Sequence, residues 1–384
     1  MMAWLPIFFM YFNEGLELKE VLLLEAIYYF GVFILEVPSG YFSDVIGRRK
    51  TLIISAVSFA ASYLLFTLAH PQFGMFAIAQ VLLAFGFSFM SGTNTAFYYE
   101  SLQEQGLEAE FAHREGKVQS YLRYAGGVAA LIGGLVGSFQ LKYGFAVSFL
   151  FVIPALLITL RFKEPRSSNK KIALPIEQLK SIIGYLKVNE LRWLFVYYIL
   201  VYVLAHIPYE FYQPYLLVLE KNDFSLPLNA ALYSGILFAG TRFFGAFTAA
   251  KSISLAEKYG LKKLCYTSIF IQLALIGILG FILHPAIILL ILLRSVSMSL
   301  TAAPVNAEIT PRLKKEHRAT YLSIQSLLSR FSFSMTLLLL AIPINSQIVN
   351  DWETVSMIFR YSLYAGIVIT IPLFLMNSSG LFEK

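Results

Sequence analysis

The stretch Gly40-Tyr41-Phe42-Ser43-Asp44-Val45-Ile46-Gly47-Arg48-Arg49-Lys50 lies between two long apolar runs. Hydrocarbon offers no partners for so many polar groups, so this segment reads as a short loop at a membrane face. The runs on either side are then membrane helices, and the Arg-Arg-Lys cluster marks the positively charged face.

Composition agrees. The 384 residues are 58% hydrophobic and only 14% charged, with a mean hydropathy of +0.67. A soluble domain carries more charge and shorter apolar runs, so the chain is an all-α polytopic membrane protein. The net charge of +7 does not indicate nucleic acid, because the basic residues concentrate in alternate loops. Cys265 is alone, so no internal disulfide is possible. The apolar N-terminus lacks the basic segment and small-residue cleavage site of a signal peptide.

Apolar runs of about 18 to 25 residues predict twelve helices, near 1–13, 19–42, 50–69, 73–100, 117–140, 143–162, 191–218, 227–250, 262–282, 285–305, 318–344 and 354–376. One set of loops holds Arg48, Arg49, Lys50, Arg114, Lys117, the lysines of 163–187, Lys258, Lys262, Lys263 and Arg312 to Arg318. The opposite set holds little beyond Lys19, Lys142 and Lys221, so the first set is expected in the cytoplasm, together with both termini of the full-length protein. Residues 163–190 read as a cytoplasmic linker with an amphipathic surface helix from Leu174 to Val188. The expected domains are therefore a six-helix bundle over 1–162, the linker over 163–190, and a second bundle over 191–384.

The halves repeat weakly. Asp44-x-x-Gly47-Arg48-Arg49-Lys50 matches Glu257-x-x-Gly260-Leu261-Lys262-Lys263, and Pro6 matches Pro214. Helix 7 has about twenty residues before its proline and helix 1 only five, so helix 1 is expected to lack its cytoplasmic half. A late start or a trimmed chain accounts for this better than a truly half-length helix.

The spacing Gly40-x-x-x-Asp44-x-x-Gly47-Arg48-Arg49-Lys50 resembles the loop between helices 2 and 3 of the major facilitator superfamily. Further segments look like its drug/proton antiporter branch, which includes macrolide, tetracycline and siderophore exporters. They are Leu35 to Gly40, Ser91 to Leu102, Glu308 to Pro311, Arg318 to Ser323 and the glycine-rich run Gly126 to Gly137. Three departures stand out. Val45 replaces a basic residue, the glycine-rich helix lacks its proline, and helix 4 has Gln80 near the place of the usual arginine. The resemblance implies two pseudo-symmetric six-helix bundles around a midplane site. It also implies a cytoplasmic latch in which Asp44, within Gly40, Gly47, Arg48 and Arg49, interacts with helix 11 near Arg318.

Ionisable groups inside a bilayer need water, a partner or a proton. Glu25 and Glu36 are eleven residues apart, so both project from one face of helix 2, roughly 16 Å apart. Both are candidates for proton coupling. Glu25 is the deeper, and Glu36 is expected to pair with a basic residue. His206 and Glu210, at i and i+4 on helix 7, share a face and make a second proton-coupling candidate, or else satisfy each other structurally. Arg123 and Arg242 are candidate ligands for an anionic substrate group, with Tyr209, Tyr212 and Gln213 beside them in the expected cavity. Arg294, Arg330 and Glu100 are expected in inter-helix ion pairs near the cytoplasmic side.

These residues point to a secondary transporter that works by alternating access in the cytoplasmic (inner) membrane. The leading expectation is proton-coupled export of a small amphipathic organic molecule. The alternative is an uptake permease for a polar metabolite, and a remote one is a non-transporting sensor or enzyme. No metal-ligand cluster, nucleotide-binding loop or Ser/His/Asp pattern is recognisable, so no enzymatic activity, cofactor or metal is expected. The expected partners are a small-molecule substrate, protons and the lipid bilayer, without nucleic acid, and the protein is expected to act as a monomer.

Overall fold

The computed structural model describes residues 2–165, 182–222, 224, 228–314, 317–344 and 351–376, and all regular structure among them is helical. The helices are α1 (Phe8–Phe12), α2 (Leu18–Ile46), α3 (Arg48–Leu68), α4 (Phe73–Met90), α5 (Thr93–Gln103), α6 (Phe111–Gly137) and α7 (Tyr143–Leu160). They continue as α8 (Asn189–Lys221), α9 (Ala230–Tyr259), α10 (Leu261–Phe281), α11 (Arg294–Ile309), α12 (Arg318–Ala341) and α13 (Trp352–Leu375). Ten helical segments among the described residues are long and apolar enough to cross a bilayer.

Two of the twelve expected spans are not among those ten. The first forms only five residues of α-helix, α1. The fifth forms α6, whose first half carries His113, Arg114, Glu115, Lys117 and Arg123 and lowers its hydropathy. The surface helix expected over 174–188 falls mostly on residues 166–181, outside the described residues.

The charged loop is much shorter than expected. Gly40 to Ile46 continue α2, and Gly47 alone, at φ +101°, separates α2 from α3. With 29 residues, α2 is about 43 Å long and exceeds a hydrocarbon core of ~30 Å, so its charged end can project beyond the core. The repeat shows in the same geometry. Helix α9 has 30 residues and α10 has 21, matching the 29 and 21 of α2 and α3. Gly260, at φ +84°, is the single residue between α9 and α10.

Two other expected helices are interrupted. The span expected over 73–100 breaks at Ser91 and Gly92, where Gly92 takes φ +71°, and resumes as α5. The span expected over 285–305 begins as a 3₁₀ segment, Ile287–Leu293, and becomes α-helical at Arg294.

The chain forms two compact units, one built on α1 to α7 with residues 231–236, the other on most of the remainder. In the first unit a five-residue helix such as α1 has too few internal bonds to persist alone. Aromatic packing holds it: Phe12 stacks on Phe66 at 5.2 Å, and Trp4 stacks on Phe145 at 5.6 Å. The Tyr11 hydroxyl donates to the Phe66 carbonyl at 2.6 Å. Gly133 admits the Ala3 backbone so closely that an added Cβ would collide with the Ala3 carbonyl. In the second unit, α8 is the central element. Trp193 stacks on Tyr197 and donates from Nε1 to the Leu373 carbonyl at 2.9 Å. Large apolar side chains such as Leu68, Phe139 and Phe270 are exposed, as a lipid-facing surface requires.

Candidate functional site

Helices α2 and α4 run in a nearly constant register. Gln80 Nε2 donates to Glu25 Oε1 at 2.7 Å, Ser88 Oγ to the Val32 carbonyl at 3.5 Å, and Ser91 Oγ to Glu36 Oε1 at 3.0 Å. The sequence separations are 55, 56 and 55 residues, so the helices are parallel and both glutamates face the α4 side. The shared face expected from the spacing is present. Glu25 and Gln80 are buried and Glu36 is half-buried. No residue from Phe73 to Met90 is charged, so α4 meets Glu25 with a neutral amide.

The turn at Gly47 organises a second cluster. Arg48 contacts Asp44 at 2.7 Å and Glu100 at 3.2 Å, and its Nη1 donates to Ser43 Oγ at 2.8 Å. The inter-helix ion pair expected of Glu100 is therefore made with Arg48. Arg49 Nη2 donates to the Leu160 carbonyl at 2.7 Å. Below the turn, Glu164 accepts from the backbone N–H groups of Arg48 and Arg49. Gly40 lies within α2 with open space around its Cα. Arg318, in the other unit, donates from Nε to the Leu313 carbonyl at 3.3 Å.

The third cluster lies in the second unit, around the middle of α8. His206 Nδ1 lies 2.7 Å from the Tyr202 carbonyl. A carbonyl only accepts, so Nδ1 carries hydrogen. The ring stacks on Tyr202 at 3.9 Å and meets Phe333 at 5.1 Å. Glu210 is buried. Arg294 places its guanidinium 4.8 Å from the Tyr209 ring centre, and Arg242 lies 5.1 Å from that of Phe238, both within cation–π range. Arg330 and Glu210 both act electrostatically on the Tyr202 hydroxyl. Arg294 and Arg330 both act electrostatically on His206.

The other candidates are less concentrated. Arg242 is exposed, Tyr209 is half-buried, and Tyr212 and Gln213 are fully packed, with Gln213 Nε2 donating to the Tyr212 hydroxyl at 3.5 Å. Arg123 is exposed on α6. A separate cavity of about 370 Å³ opens near Tyr11, Glu14, His70, Gln140 and Lys142. There, partial desolvation pushes the Glu14 carboxyl above its usual range, with Lys142 opposing the shift. Among the described residues no group of three His, Cys, Asp or Glu could hold a metal ion.

Sequence reasoning missed Glu164 altogether and assigned no role to Gln80. The signal for Gln80 was a buried polar residue at the same depth as Glu25. Nothing in the sequence pairs Glu164 with a turn more than a hundred residues earlier.

Long apolar helices with ionisable side chains buried on spanning segments define a polytopic membrane protein whose buried charges mark candidate functional sites. The chain belongs to the major facilitator superfamily, whose family model matches residues 1–337. No curated protein matches it. Among solved structures it is similar to the nucleoside transporter NupG, with a TM-score of 0.78 and 14% identity over 98% of this chain and 95% of that one. It is also similar to a bacterial homologue of the iron transporter ferroportin in an inward-facing state (TM-score 0.71, 16% identity, 98% and 95% covered). A D-xylose–proton symporter has a TM-score of 0.66 at 15% identity, over 98% and 93% of the two chains. At these identities the likeness shows the fold, which is the major facilitator fold.

Proposed function

We propose that this transporter is a proton-coupled secondary carrier that exports a small amphipathic organic molecule from the cytoplasm by alternating access. The observation that carries the coupling is Glu25, a buried carboxyl on a membrane helix whose partner is a neutral amide. A group that must be charged needs a counter-ion there, whereas a group that picks up and releases a proton does not. Export rests on the resemblance of the charged turn and the glycine-rich run to the drug/proton antiporter branch. The charge bias of the loops supports a cytoplasmic Gly47 turn, and the proposed carrier acts in the cytoplasmic membrane with both termini of the full-length protein inside. The proposal keeps the expected bundles over 1–162 and 191–384 with the linker of 163–190, and it takes Asp44 and Arg318 as gating residues.

A second reading, uptake of a polar metabolite bearing an anionic group, draws on one observation. Arg294, Arg330 and His206 gather beside aromatic rings in one unit, a chemistry that suits a substrate with a planar body and a negative charge. The fold likeness to a nucleoside transporter and a sugar–proton symporter is compatible with it.

The test is reconstitution in proteoliposomes. A thermal-stabilisation screen identifies ligands, and counterflow is then measured with and without an imposed pH gradient. Wild type should accumulate substrate against its gradient when the pH gradient is applied. Glu25→Gln should exchange substrate and fail to accumulate it. Full pH-driven accumulation by that variant would refute coupling through Glu25. The sign of the gradient that drives accumulation separates export from uptake. Orientation is tested with Lys163→Cys on a Cys265→Ser background, which should react with an impermeant thiol reagent only after cells are opened.

A further inference from the structure

Gln80 donates from Nε2 to Glu25 Oε1 at 2.7 Å, and both side chains are buried. Its own carbonyl oxygen, Oε1, is also buried and has no hydrogen-bond partner among the described residues. A primary amide presents both donors and an acceptor, whereas an ionised carboxylate only accepts. Beside an ionised Glu25, half of the amide's hydrogen-bonding capacity would face nothing that can donate. A buried polar group left in that condition is strongly disfavoured.

A protonated carboxyl removes the mismatch. The acid group carries one O–H donor and retains acceptor capacity. It can receive Nε2–H on one oxygen and give its own O–H to the amide carbonyl from the other. Exchanging the nitrogen and oxygen of Gln80, which are assigned from the hydrogen-bond network, leaves the same requirement, because an amide oxygen facing Glu25 also needs a proton between them.

Among the described residues, the two helices packed closely on α2 place no charged side chain at the depth of Glu25. Helices α4 and α3 pack against α2. Helix α4 has no ionisable side chain. Helix α3 has Tyr63, whose hydroxyl lies against Trp4, and Arg48, Arg49 and Lys50 at its opposite end beside Gly47. On α2 itself the nearest ionisable groups are Tyr28 and Tyr29, the exposed Lys19 and half-buried Glu20 of the first turn, where Glu20 accepts from the Glu17 N–H, and, three turns the other way, Glu36 on Ser91.

We propose that Glu25 is held as the neutral acid in this conformation by a reciprocal acid–amide pair with Gln80, which makes Gln80 the positioning residue for the transported proton. The inference rests on the reading of Glu25 as the coupling group and adds what holds the proton in place. Releasing the proton to water leaves a carboxylate that can no longer donate to Gln80. Deprotonation thereby removes one of the pair's two hydrogen bonds and keeps the one from Nε2, so the neutral acid favours the arrangement in which both are made.

Infrared difference spectroscopy of the reconstituted full chain at neutral pH tests this. Wild type should show a protonated-carboxyl C=O stretch that is absent in Glu25→Gln. In Gln80→Met, which keeps side-chain length and removes both amide atoms, that band should move to higher frequency. Absence of any neutral-pH band assignable to Glu25 overturns the proposal, as does a band at an unchanged frequency in Gln80→Met. Should Gln80→Met fail to fold, the comparison of wild type with Glu25→Gln still decides whether the proton is present, and Gln80→Asn, with its amide drawn back, should give the same shift. Failure of the coupling reading is distinguishable. A Glu25 band with undiminished pH-driven accumulation in Glu25→Gln overturns coupling and leaves the pair standing. No band with lost accumulation does the reverse.

Discussion

Glu164 accepts from the backbone N–H of Arg49 at 3.0 Å and from that of Arg48, so one carboxylate covers the N-terminus of α3 from the far end of its unit. The first N–H groups of a helix have no partner within it, and the helix dipole favours negative charge at that end. The chain after α7 thus closes the turn that joins α2 to α3. Glu164→Ala should lower stability by about 1 kcal/mol, the usual effect of losing a helix cap. Glu164→Gln, which can still accept, should lose less. Thermal unfolding in detergent reads both, and equal losses would assign the effect to charge alone.

The two single-glycine turns make a matched comparison. Gly47 and Gly260 have φ of +101° and +84°, a region open to glycine and costing other residues about 1–3 kcal/mol. A Cβ at Gly47 would also lie 2.7 Å from the Glu164 carboxyl, whereas a Cβ at Gly260 would meet nothing within 4 Å. Gly47→Ala should therefore destabilise more than Gly260→Ala, because it displaces the cap as well as straining the backbone. On a Glu164→Ala background the difference should vanish. Persistence of the difference there would remove Glu164 as its cause.

Asp44 pairs with Arg48 in the same turn, and Arg48 also holds Glu100. Asp44→Asn removes charge at nearly constant size. Exposed ion pairs contribute little to stability, so expression and melting temperature should stay close to wild type. Transport should fall severalfold or more with substrate affinity little changed, as expected of a latch. Loss of equilibrium substrate binding with normal gating would assign Asp44 to the substrate instead.

At the cavity beside α1, Glu14 is exposed, and partial desolvation there raises its carboxyl, with Lys142 opposing and solvent screening keeping the effect small. A carboxyl raised in the folded state binds its proton more tightly there than in the unfolded chain, so its ionisation counts against folding above the unfolded value. Glu14→Gln should then unfold at a modestly higher temperature than wild type at pH 7.5. Below the unfolded carboxyl range both are neutral, so the gain should disappear near pH 4. A gain that persisted at acidic pH would not come from ionisation.

The apolar runs and Gly47 were legible because hydrocarbon demands a closed backbone and a glycine supplies the backbone angles of a one-residue reversal. Where α2 ends was not legible. Gly40 and Asp44 look like loop residues, but beyond the apolar core a helix satisfies its backbone as well as a loop does. The break at Gly92 and the 3₁₀ start before Arg294 are equally silent in hydropathy. The common face of Glu25 and Glu36 followed from helical period, while their partners required the register of α2 on α4. The reach of Arg294 and Arg330 to His206 was not legible, because packing of α11 and α12 on α8, and not chain position, decides which side chains meet.

The cluster around α8 supports the last prediction, which separates substrate binding from coupling. Arg294 lies over Tyr209, Arg330 acts electrostatically on Tyr202, and Glu210 is buried within electrostatic reach of the same hydroxyl. Glu25 has a neutral amide partner, whereas Glu210 lies in a neighbourhood that contains cations. A balanced charge suits substrate recognition, and an unbalanced group suits proton carriage. Arg294→Gln should therefore weaken binding of an anionic ligand about tenfold, equivalent to ~1.4 kcal/mol. Arg294→Lys should recover only part of this, since an ammonium lacks the planar stack on Tyr209. Glu210→Gln should change affinity, in opposite senses for anionic and cationic ligands, and should keep the pH-driven accumulation ratio of wild type. Ligand titrations by thermal shift give the affinities, and proteoliposomes with an imposed pH gradient give the ratio. If Glu210→Gln retained exchange but lost accumulation while Glu25→Gln kept both, the coupling carboxyl would be Glu210 in the second unit, with His206 as its partner, and Glu25 would be a structural acid.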